Sequence, residues 1–407
     1  MRILYFSPRQ CWPLTTGARL RDYHLARQLA GRASVTYLGL TQPDEEAVTI
    51  PVGDNPFEKV VTIPKNRSYT TANLVRGLIG PDPVTVLNYY SPHVSAALED
   101  LLRNGSFHSI QIEGVHLLGY LGAIRAAAPR SIVIADWHNI ESEIMRRYAE
   151  TCGSFPRRLF ATRTARLIEF AELKLLKGCD VHSLASDRER QKLMNLMPNA
   201  RLETIPNGVD VEYYRPAHAP GEREVRREIL FVGSMDYHAN IDAAMWFVRE
   251  IWPLVRTRAP GLRLTIAGRD PVACIRNLAA ADIAITGTVS DIRPFYSQAL
   301  AVVAPLRIGS GTRLKILEAM AAGVPVVSTR LGAEGLDVIH GENILIADTP
   351  EETVESLSAV LTDPAFRSRL VMSAQELVSQ SYDWRELGQR LFQIHSTADR
   401  AREIKNQ

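Results

Sequence analysis

The chain has 407 residues, of which 46% are hydrophobic and 23% are charged, and its formal net charge is +2. At roughly 150 residues per domain, this length predicts two to three domains, and the composition excludes collagen-like, low-complexity and largely disordered chains. The near-zero charge predicts no nucleic acid partner, and four cysteines without C-x-x-C spacing favour a reduced, cytoplasmic compartment without a structural zinc.

Short apolar runs and helical patterns alternate along the first 205 residues. Residues 2–7 form an apolar run that is too short for a signal peptide, so the chain is expected to begin in its first strand. No run reaches the roughly 18 apolar residues that span a bilayer, so any membrane contact is expected to be peripheral. Further predicted strands cover 35–40, 110–113, 132–135, 181–185 and 202–205, and predicted helices cover 18–30, 93–103 and 157–177.

The alternating pattern breaks at 206–210, where the sequence reads Pro-Asn-Gly-Val-Asp, and a second alternating series begins near residue 229. The helix predicted at 240–256 has the clearest period. Its apolar face is expected to hold Ile241, Met245, Val248, Trp252 and Val255. Predicted strands of this half cover 229–232, 262–267, 283–285, 301–304 and 324–328, and a helix is predicted at 312–322.

These alternating elements predict an α/β protein with two doubly wound Rossmann-like domains that face each other across a cleft. The predicted domains are 1–205 and 228–383, with a linker at 206–227 and a C-terminal helix within 384–407. Ligands of such sheets bind at the carboxyl ends of the strands, so the residues that follow the strands are the candidates for a site.

Two loops that contain glycine follow predicted strands and lead into helices. The loop at Gly17 offers backbone N–H groups and a positive helix end to an anion, although a glycine needed only for the turn explains it equally well. The loop at 309–312 precedes Arg313 and Lys315. Cations at a helix N-terminus oppose the helix dipole, so their presence favours a bound anion such as a diphosphate. No dinucleotide fingerprint or Walker A sequence accompanies either loop.

Glu318 and His138 are candidates for polar contacts with a ligand. Glu318 lies one helical turn after Leu314, where its carboxylate can accept two hydrogen bonds from a ribose diol; a solvated Lys–Glu pair is the alternative. His138 follows the strand at 132–135, where it can contact a substrate hydroxyl or accept a proton. A packed loop histidine is the alternative there.

In these motifs the chain resembles family 4 of the retaining glycosyltransferases, enzymes of the GT-B fold that use nucleotide sugars. The resemblance spans nearly the whole chain, and its most specific part is the run from Lys315 to Val327. It implies transfer of a hexose-type sugar from a nucleotide-diphosphate sugar to a glycan or lipid-linked acceptor, in cell-surface polysaccharide biosynthesis. It also implies no cofactor besides the donor substrate, and a C-terminal helix that packs on the first domain.

The resemblance implies a role for each candidate residue. His138 contacts the donor sugar, Glu318 holds the donor ribose, and Arg313 with Lys315 stabilises the leaving diphosphate. The implied donor-binding residues are Gly17, Gly309, Ser310, Gly311, Thr312, Glu318 and, in the base-binding loop, Val289.

Two positions depart from the family pattern. Ser310 stands where the family often has Glu, which puts the usual carboxylate contact to the donor sugar in question. The family's Arg and Lys after the strand that ends at Gly233 are also missing, so Arg313 and Lys315 are expected to supply the phosphate charge. The implied mechanism retains configuration, because the leaving diphosphate takes the acceptor proton on the same face. No D-x-D sequence occurs, so metal independence is predicted and no metal site is expected.

Alternatives stay open for one segment and for the function. The basic amphipathic helix at 157–177 either contacts an anionic membrane, at the inner face of the plasma membrane, or packs with a solvated charged face. The rival functions are a nucleotide-sugar epimerase of the same architecture and a non-catalytic sugar-nucleotide-binding protein, and Ser310 favours the latter.

Overall fold

The computed structural model describes residues 1–151, 153–215, 227–309 and 314–405, with side chains except at 151 and 398–405. The chain divides into two compact units. The N-terminal unit holds Met1–Pro206 and the residues from Leu387 onward, and the C-terminal unit holds Asn207–Glu386.

A seven-stranded parallel sheet forms the centre of the N-terminal unit. Its strands are β1 (Arg2–Ser7), β2 (Ser34–Thr41), β3 (Lys59–Pro64), β4 (Ser109–Glu113), β5 (Ile132–Trp137), β6 (Val181–Leu184) and β7 (Leu202–Thr204). The spatial order is β3-β2-β1-β4-β5-β6-β7, so the direction of winding reverses between β1 and β4. Ligand sites of doubly wound sheets lie at the carboxyl ends of the strands beside such a reversal.

Helices cover this sheet and connect its strands. They are α1 (Gly17–Ala30), α2 (Thr71–Ile79), α3 (Val84–Leu87), α4 (Pro92–Gly105), α5 (Leu121–Ala127), α6 (Glu141–Thr151), α7 (Phe155–Gly178) and α8 (Asp187–Leu196). Short 3₁₀ segments lie at Val52–Asp54 and Val115–Tyr120. The side chain of Thr16 caps α1 by accepting the backbone N–H of Arg19, so the helix begins directly at Gly17.

A six-stranded parallel sheet forms the centre of the C-terminal unit. Its strands are β8 (Glu228–Val232), β9 (Arg263–Ala267), β10 (Ile283–Gly287), β11 (Ala299–Ala304), β12 (Val326–Ser328) and β13 (Leu345–Ile346). The order β10-β9-β8-β11-β12-β13 reverses between β8 and β11. Two parallel Rossmann-like sheets are therefore present, and the predicted fold class is confirmed.

The helices of the C-terminal unit precede, connect or follow these strands. They are α9 (Val211–Tyr214), α10 (His238–Trp246), α11 (Trp252–Arg258), α12 (Ala273–Arg276), α13 (Arg293–Gln298), α14 (Leu314–Ala321), α15 (Pro350–Thr362) and α16 (Pro364–Leu377). A final helix, α17 (Trp384–Lys405), passes into the N-terminal unit at Leu387. The segment predicted as a linker at 206–227 differs in part, because Asn207 and the residues of α9 belong to the C-terminal unit.

The helix predicted at 240–256 has a different buried face from the predicted one. A π-helical turn at Phe247–Ile251 joins α10 to α11, and its wider turn rotates the residues after it relative to a regular helix. As a result Phe247 and Ile251 are fully buried, whereas Ile241, Met245 and Val248 are only partly buried against the core. The expected core positions Trp252 and Val255 are buried.

The C-terminal helix α17 packs closely on α1 within the N-terminal unit. Leu387, Leu391 and Ile394 are buried along one face of α17. At Gly388 the two helices come so close that a Cβ atom would overlap the Cβ and Cγ atoms of Gln28. The absence of a side chain at Gly388 therefore sets the distance between α17 and α1.

Replacing Gly388 by Ala should destabilise the protein, because the added methyl group must push α17 away from Gln28. We expect the free energy of unfolding to fall by about 1–3 kcal/mol in chemical denaturation. Gly122→Ala is the matched control, since Gly122 lies in α5 with no atom within 4 Å of the new methyl group. Equal stability of the two variants would show that the close approach at Gly388 is unimportant.

Candidate functional site

His138 directly follows β5, and its ring faces three buried carboxylates at the carboxyl edge of the N-terminal sheet. Its Nε2 lies 2.7 Å from Oε2 of Glu113 and 3.1 Å from Oδ1 of Asp22. Oδ2 of Asp136 lies 3.6 Å away. The side chains of all three acids are 0% exposed, and that of His138 is 17% exposed. The Nε2 edge of the ring is therefore engaged within the protein, and part of the side chain is exposed.

Two arginines from other elements pair with these acids. Arg21 of α1 forms a bidentate ion pair with Asp136, with both N–O distances at 2.7 Å, and both side chains are buried. Arg9 pairs with Asp22 at 3.0 Å. Hydroxyl donors complete the shell, since Ser183 donates to Asp136 and Ser7 donates to Asp22. We call Asp22, Glu113, Asp136, His138, Arg9 and Arg21 the buried charge cluster.

The electrostatics of the buried charge cluster favour a protonated His138. Burial alone would lower the pKa of His138, but hydrogen bonding to and attraction by Asp22 and Glu113 outweigh it and raise the pKa to about 9. Burial would likewise raise the pKa of Asp136, yet the charge and hydrogen bonds of Arg21 hold it below its usual range. Burial and the charge of Asp136 raise the pKa of Glu113.

Asp22, Glu113 and His138 also have the chemistry of a cation site, because one ligand atom from each lies within 4.8 Å of the others. A proton on His138 also supplies a positive charge beside these carboxylates. When all three acids are ionised, the charges of Arg9, Arg21 and an imidazolium at His138 balance them, and the formal charges of the buried charge cluster sum to zero. The arrangement can therefore hold an imidazolium among carboxylates.

In the C-terminal unit, Lys315 lies at the carboxyl end of β8. Its Nζ donates to Oδ1 of Asn240 at 2.8 Å and lies 4.8 Å from the ring centre of Phe231. A Cβ atom at Gly233 would lie 2.9 Å from this Nζ and 2.7 Å from Nδ2 of Asn240. The glycine leaves room for the ammonium group at this strand end, and a larger residue would require the side chains of Lys315 and Asn240 to shift.

Arg269 brings a second cation to the same strand end from the loop after β9. Its Nε donates to Oγ of Ser234 at 3.0 Å, and the backbone carbonyl of Ser234 accepts from Asn240. Lys315, Asn240, Ser234 and Arg269 therefore form one connected polar group. The cations that the resembled family carries are missing directly after β8, and no sequence pattern predicted Arg269 because this residue follows the neighbouring strand.

Glu318 of α14 is held by two tyrosines. The hydroxyl of Tyr296 donates to Oε2 of Glu318 at 2.8 Å, and Tyr214 of α9 hydrogen bonds to the same carboxylate. Burial raises the pKa of Glu318, opposed by these hydrogen bonds and by the charge of Lys315. A carboxylate has about four acceptor sites, so Glu318 keeps capacity for a diol. The tyrosines were missed because they are distant in sequence and have no motif of their own.

The remaining predicted site residues are placed as follows. Gly17 is the exposed first residue of α1. Val289 is partly exposed in the loop after β10, and Gly309 precedes α14 with a left-handed backbone at φ 106°. The predicted residues Ser310, Gly311, Thr312 and Arg313 lie outside the described residues.

Sequence comparison finds that the C-terminal unit is similar to known transferases. The sequence model described as "Glycosyl transferases group 1" matches residues 226–363. The glycogen synthase of Mycobacterium tuberculosis is 27% identical over 212 residues, which cover 49% of this chain and 50% of that protein. The phosphatidyl-myo-inositol mannosyltransferase of Mycobacterium leprae is 28% identical over 220 residues, 52% of this chain and 58% of that protein. The chain thus spans about half the length of the curated relatives it matches.

Solved structures match over nearly the whole chain. Sucrose-phosphate synthase from Thermosynechococcus elongatus superposes with a TM-score of 0.71 at 17% identity, covering 98% of this chain and all of that one. Anabaena HepE in complex with UDP-glucose gives a TM-score of 0.65 at 14% identity, with 98% and 100% covered. The fold is therefore GT-B, and the resemblance to family 4 of the glycosyltransferases is confirmed.

None of the helices in the described part of the chain combines the length and the apolar character that crossing a bilayer requires.

Replacing His138 by Gln should lower stability in a pH-dependent way. Since the pKa of His138 is raised to about 9, its stabilising contribution is complete below the unfolded value near 6.5 and disappears as the pH rises through about 9. At about 1.4 kcal/mol per pKa unit, the loss at low pH is on the order of 3 kcal/mol. Denaturant unfolding at pH 6, 7.5 and 9 measures it. The exposed His238→Gln is the control, and a pH-independent loss in His138→Gln would contradict an imidazolium.

Proposed function

We propose that this protein is a retaining glycosyltransferase that moves a hexose-type sugar from a nucleotide-diphosphate sugar to a glycan or lipid-linked acceptor. The observation that carries the proposal is the family match over 226–363, which contains the polar group around Lys315 and the carboxylate of Glu318. The known relatives support a hexose donor, since they include a glycogen synthase and a mannosyltransferase. HepE was solved with UDP-glucose, which supports the same class of donor.

The donor nucleotide would be held by the C-terminal unit. Glu318, fixed by Tyr214 and Tyr296, is suited to accept hydrogen bonds from the ribose hydroxyls. Lys315 and Arg269 are suited to the diphosphate, because both cations lie beside the carboxyl end of β8. Arg269 would replace one of the cations that the family carries after this strand, and Arg313, predicted from the sequence, would add a third.

The proposed chemistry is electrostatic. Cations that are fixed before the reaction stabilise the charge that develops on the leaving diphosphate, without reorganisation at the moment of bond cleavage. The bond between the anomeric carbon and the departing phosphate oxygen breaks, and the acceptor oxygen bonds to this carbon on the same face, so the anomeric configuration is retained. The departing phosphate oxygen takes the proton of the acceptor hydroxyl. His138 would contact the donor sugar through the part of its ring that does not face the acids. Lys315, Arg269 and Arg313 would make a divalent metal unnecessary.

Glu318→Ala should lose stabilisation by the donor nucleotide, because the ribose loses its acceptor. At 100 times its dissociation constant a nucleotide should stabilise the wild type by about 2.7 kcal/mol, measured by thermal unfolding with UDP, GDP, ADP and their sugar conjugates. Glu355→Ala, an exposed position on α15, is the matched control. Equal stabilisation of the Glu318 variant would exclude this carboxylate from the nucleotide site.

The nucleotide that stabilises the protein then serves as donor in assays with and without EDTA. Transfer with retained configuration in the presence of EDTA supports the proposal. An isomerised donor indicates the epimerase, stabilisation without turnover indicates the binding protein, and loss of transfer in EDTA overturns metal independence.

We also propose that the N-terminal unit contacts an anionic membrane, such as the inner face of the plasma membrane, where a lipid-linked acceptor would be found. Large apolar side chains are exposed at the start of α7 and the end of α2, with Phe155 77% and Ile79 76% exposed. Arg157 and Arg158 are exposed beside Phe155. Arg163 donates to the carbonyls of Leu78 and Gly80 and so holds the end of α2 against α7. Adjacent apolar and basic side chains suit the headgroup region of an anionic bilayer.

Reversing two of these charges, in Arg157→Glu/Arg158→Glu, should abolish co-sedimentation with vesicles that contain anionic lipid, because each basic residue contributes about 1 kcal/mol near such a surface. Arg163 is left unchanged because it holds α2. Arg249→Glu/Arg258→Glu makes the same charge change at exposed positions of the C-terminal unit and should bind as the wild type does. If the Arg157→Glu/Arg158→Glu variant binds the vesicles as the wild type does, these arginines of α7 form a solvated charged face and do not bind a membrane.

A further inference from the structure

A line of buried polar side chains runs along one face of β4 and ends at the buried charge cluster. Ser109, Gln111 and Glu113 alternate along the strand, so they point to the same face of the sheet, and none is more than 1% exposed. Interior strands of a parallel sheet are normally apolar on both faces. Three polar residues in register at such a position therefore require a specific explanation.

His395 of α17 lies against this line and connects two of its members. The ring is fully buried. Its Nδ1 lies 2.7 Å from Oγ of Ser109, and its Nε2 lies 3.0 Å from Oε1 of Gln111. Gln111 in turn donates its Nε2 to Oε1 of Glu113 at 2.8 Å. The other carboxylate oxygen of Glu113 lies 2.7 Å from Nε2 of His138.

Chemistry fixes the direction of every hydrogen bond in this line. Gln111 gives its amide N–H to Glu113, so its carbonyl oxygen faces His395 and can only accept. Nε2 of His395 must therefore carry the proton. Burial lowers the pKa of His395 to about 3, so the ring is neutral and its Nδ1 accepts the hydroxyl hydrogen of Ser109. The bonds all point from Ser109 toward Glu113, and such chains polarise one another.

We propose that His395 is a positioning residue for His138: it orients the amide of Gln111, which holds Glu113 as the hydrogen-bond acceptor for Nε2 of His138. The inference rests on the proposed function for its meaning in catalysis, because His138 is the group expected at the donor sugar. The hydrogen bonds that connect His395 to His138 do not depend on that function. His395, which lies 284 residues after Gln111 in the sequence, sets the protonation of His138 through three hydrogen bonds.

Other charged and titratable groups also face the buried charge cluster and must stay in place during a test. Asp22 and Arg21 belong to α1, and Asp136 belongs to β5. The further groups are Tyr5 of β1, Arg9 of the following loop, His116 of the 3₁₀ segment at Val115–Tyr120, and Glu141 of α6. The ring of His395 forms hydrogen bonds with Ser109 and Gln111, so we expect a change there to act on His138 through Gln111 and Glu113.

The test is an NMR titration of the His138 ring in the full chain, assigned by its absence in His138→Gln. In His395→Leu the carbonyl oxygen of Gln111 loses its hydrogen-bond donor, so the amide is no longer oriented toward Glu113. Glu113 then loses a hydrogen bond that stabilises its ionised carboxylate. The pKa of His138 should then fall by about one unit or more, which is the size of one hydrogen bond to a charged group. His395→Gln, whose amide can donate to Gln111, should restore most of the wild-type value.

Ser109→Ala is the matched control, because it removes a hydrogen bond to the same ring and leaves the Nε2 donor intact. It should lower stability without moving the titration of His138. If His395→Leu does not fold, Gln111→Met breaks the same line and should give the same shift. An unchanged titration of His138 in either folded variant would overturn the proposal and leave His395 with a purely structural role.

The transferase assay separates this proposal from the proposed function. If the protein transfers sugar, the pH profile of turnover in His395→Leu should move in the same direction as the His138 titration. A shifted titration in a protein that transfers no sugar would support His395 as a positioning residue and would reject the transferase. If neither the pH profile of turnover nor the titration of His138 moves, the positioning role of His395 is rejected and the proposed function is unaffected.

Discussion

The buried ion pair between Arg21 and Asp136 is the interaction on which the N-terminal unit depends. It joins the first helix to the end of β5 with two 2.7 Å hydrogen bonds in a region closed to water. Charges in such a place are costly unless each one is paired, so the other acids beside them, Asp22 and Glu113, must also find partners. Arg9 and His138 provide them. The position and protonation of His138 follow from this requirement.

The C-terminal unit has cations at the end of a strand, whereas the buried charge cluster of the N-terminal unit includes three carboxylates. Cations collect at the carboxyl end of β8, where Gly233 leaves room for the ammonium group of Lys315 and Ser234 accepts from Arg269. Lys315 donates to the amide oxygen of Asn240, and Arg269 lies 3.9 Å from the carboxylate of Asp270. Fixed cations at the end of a strand are suited to an anionic ligand, whereas the carboxylates around His138 are suited to holding a proton.

Sequence periodicity predicted most strands of both sheets, because interior parallel strands are continuous apolar runs that differ sharply from their surroundings. It missed β3, whose first residues Lys59 and Val60 are exposed at the edge of the sheet, and the two-residue strand β13. It also predicted the wrong buried face for part of the helix at 240–256, since a π-helical turn changes the angle between residues and has no signature in an apolar pattern.

The amino-acid sequence by itself determined the fold class, the two alternating halves and the candidates His138, Lys315 and Glu318, because each of these depends on local pattern or on position after a strand. Only the tertiary structure decided which groups surround those candidates. Tyr214 and Tyr296 reach Glu318, Arg269 reaches the end of β8, and His395 reaches β4 from a helix near the end of the chain. These partners come from distant parts of the chain, and no local pattern encodes a contact that forms only when strands and helices pack.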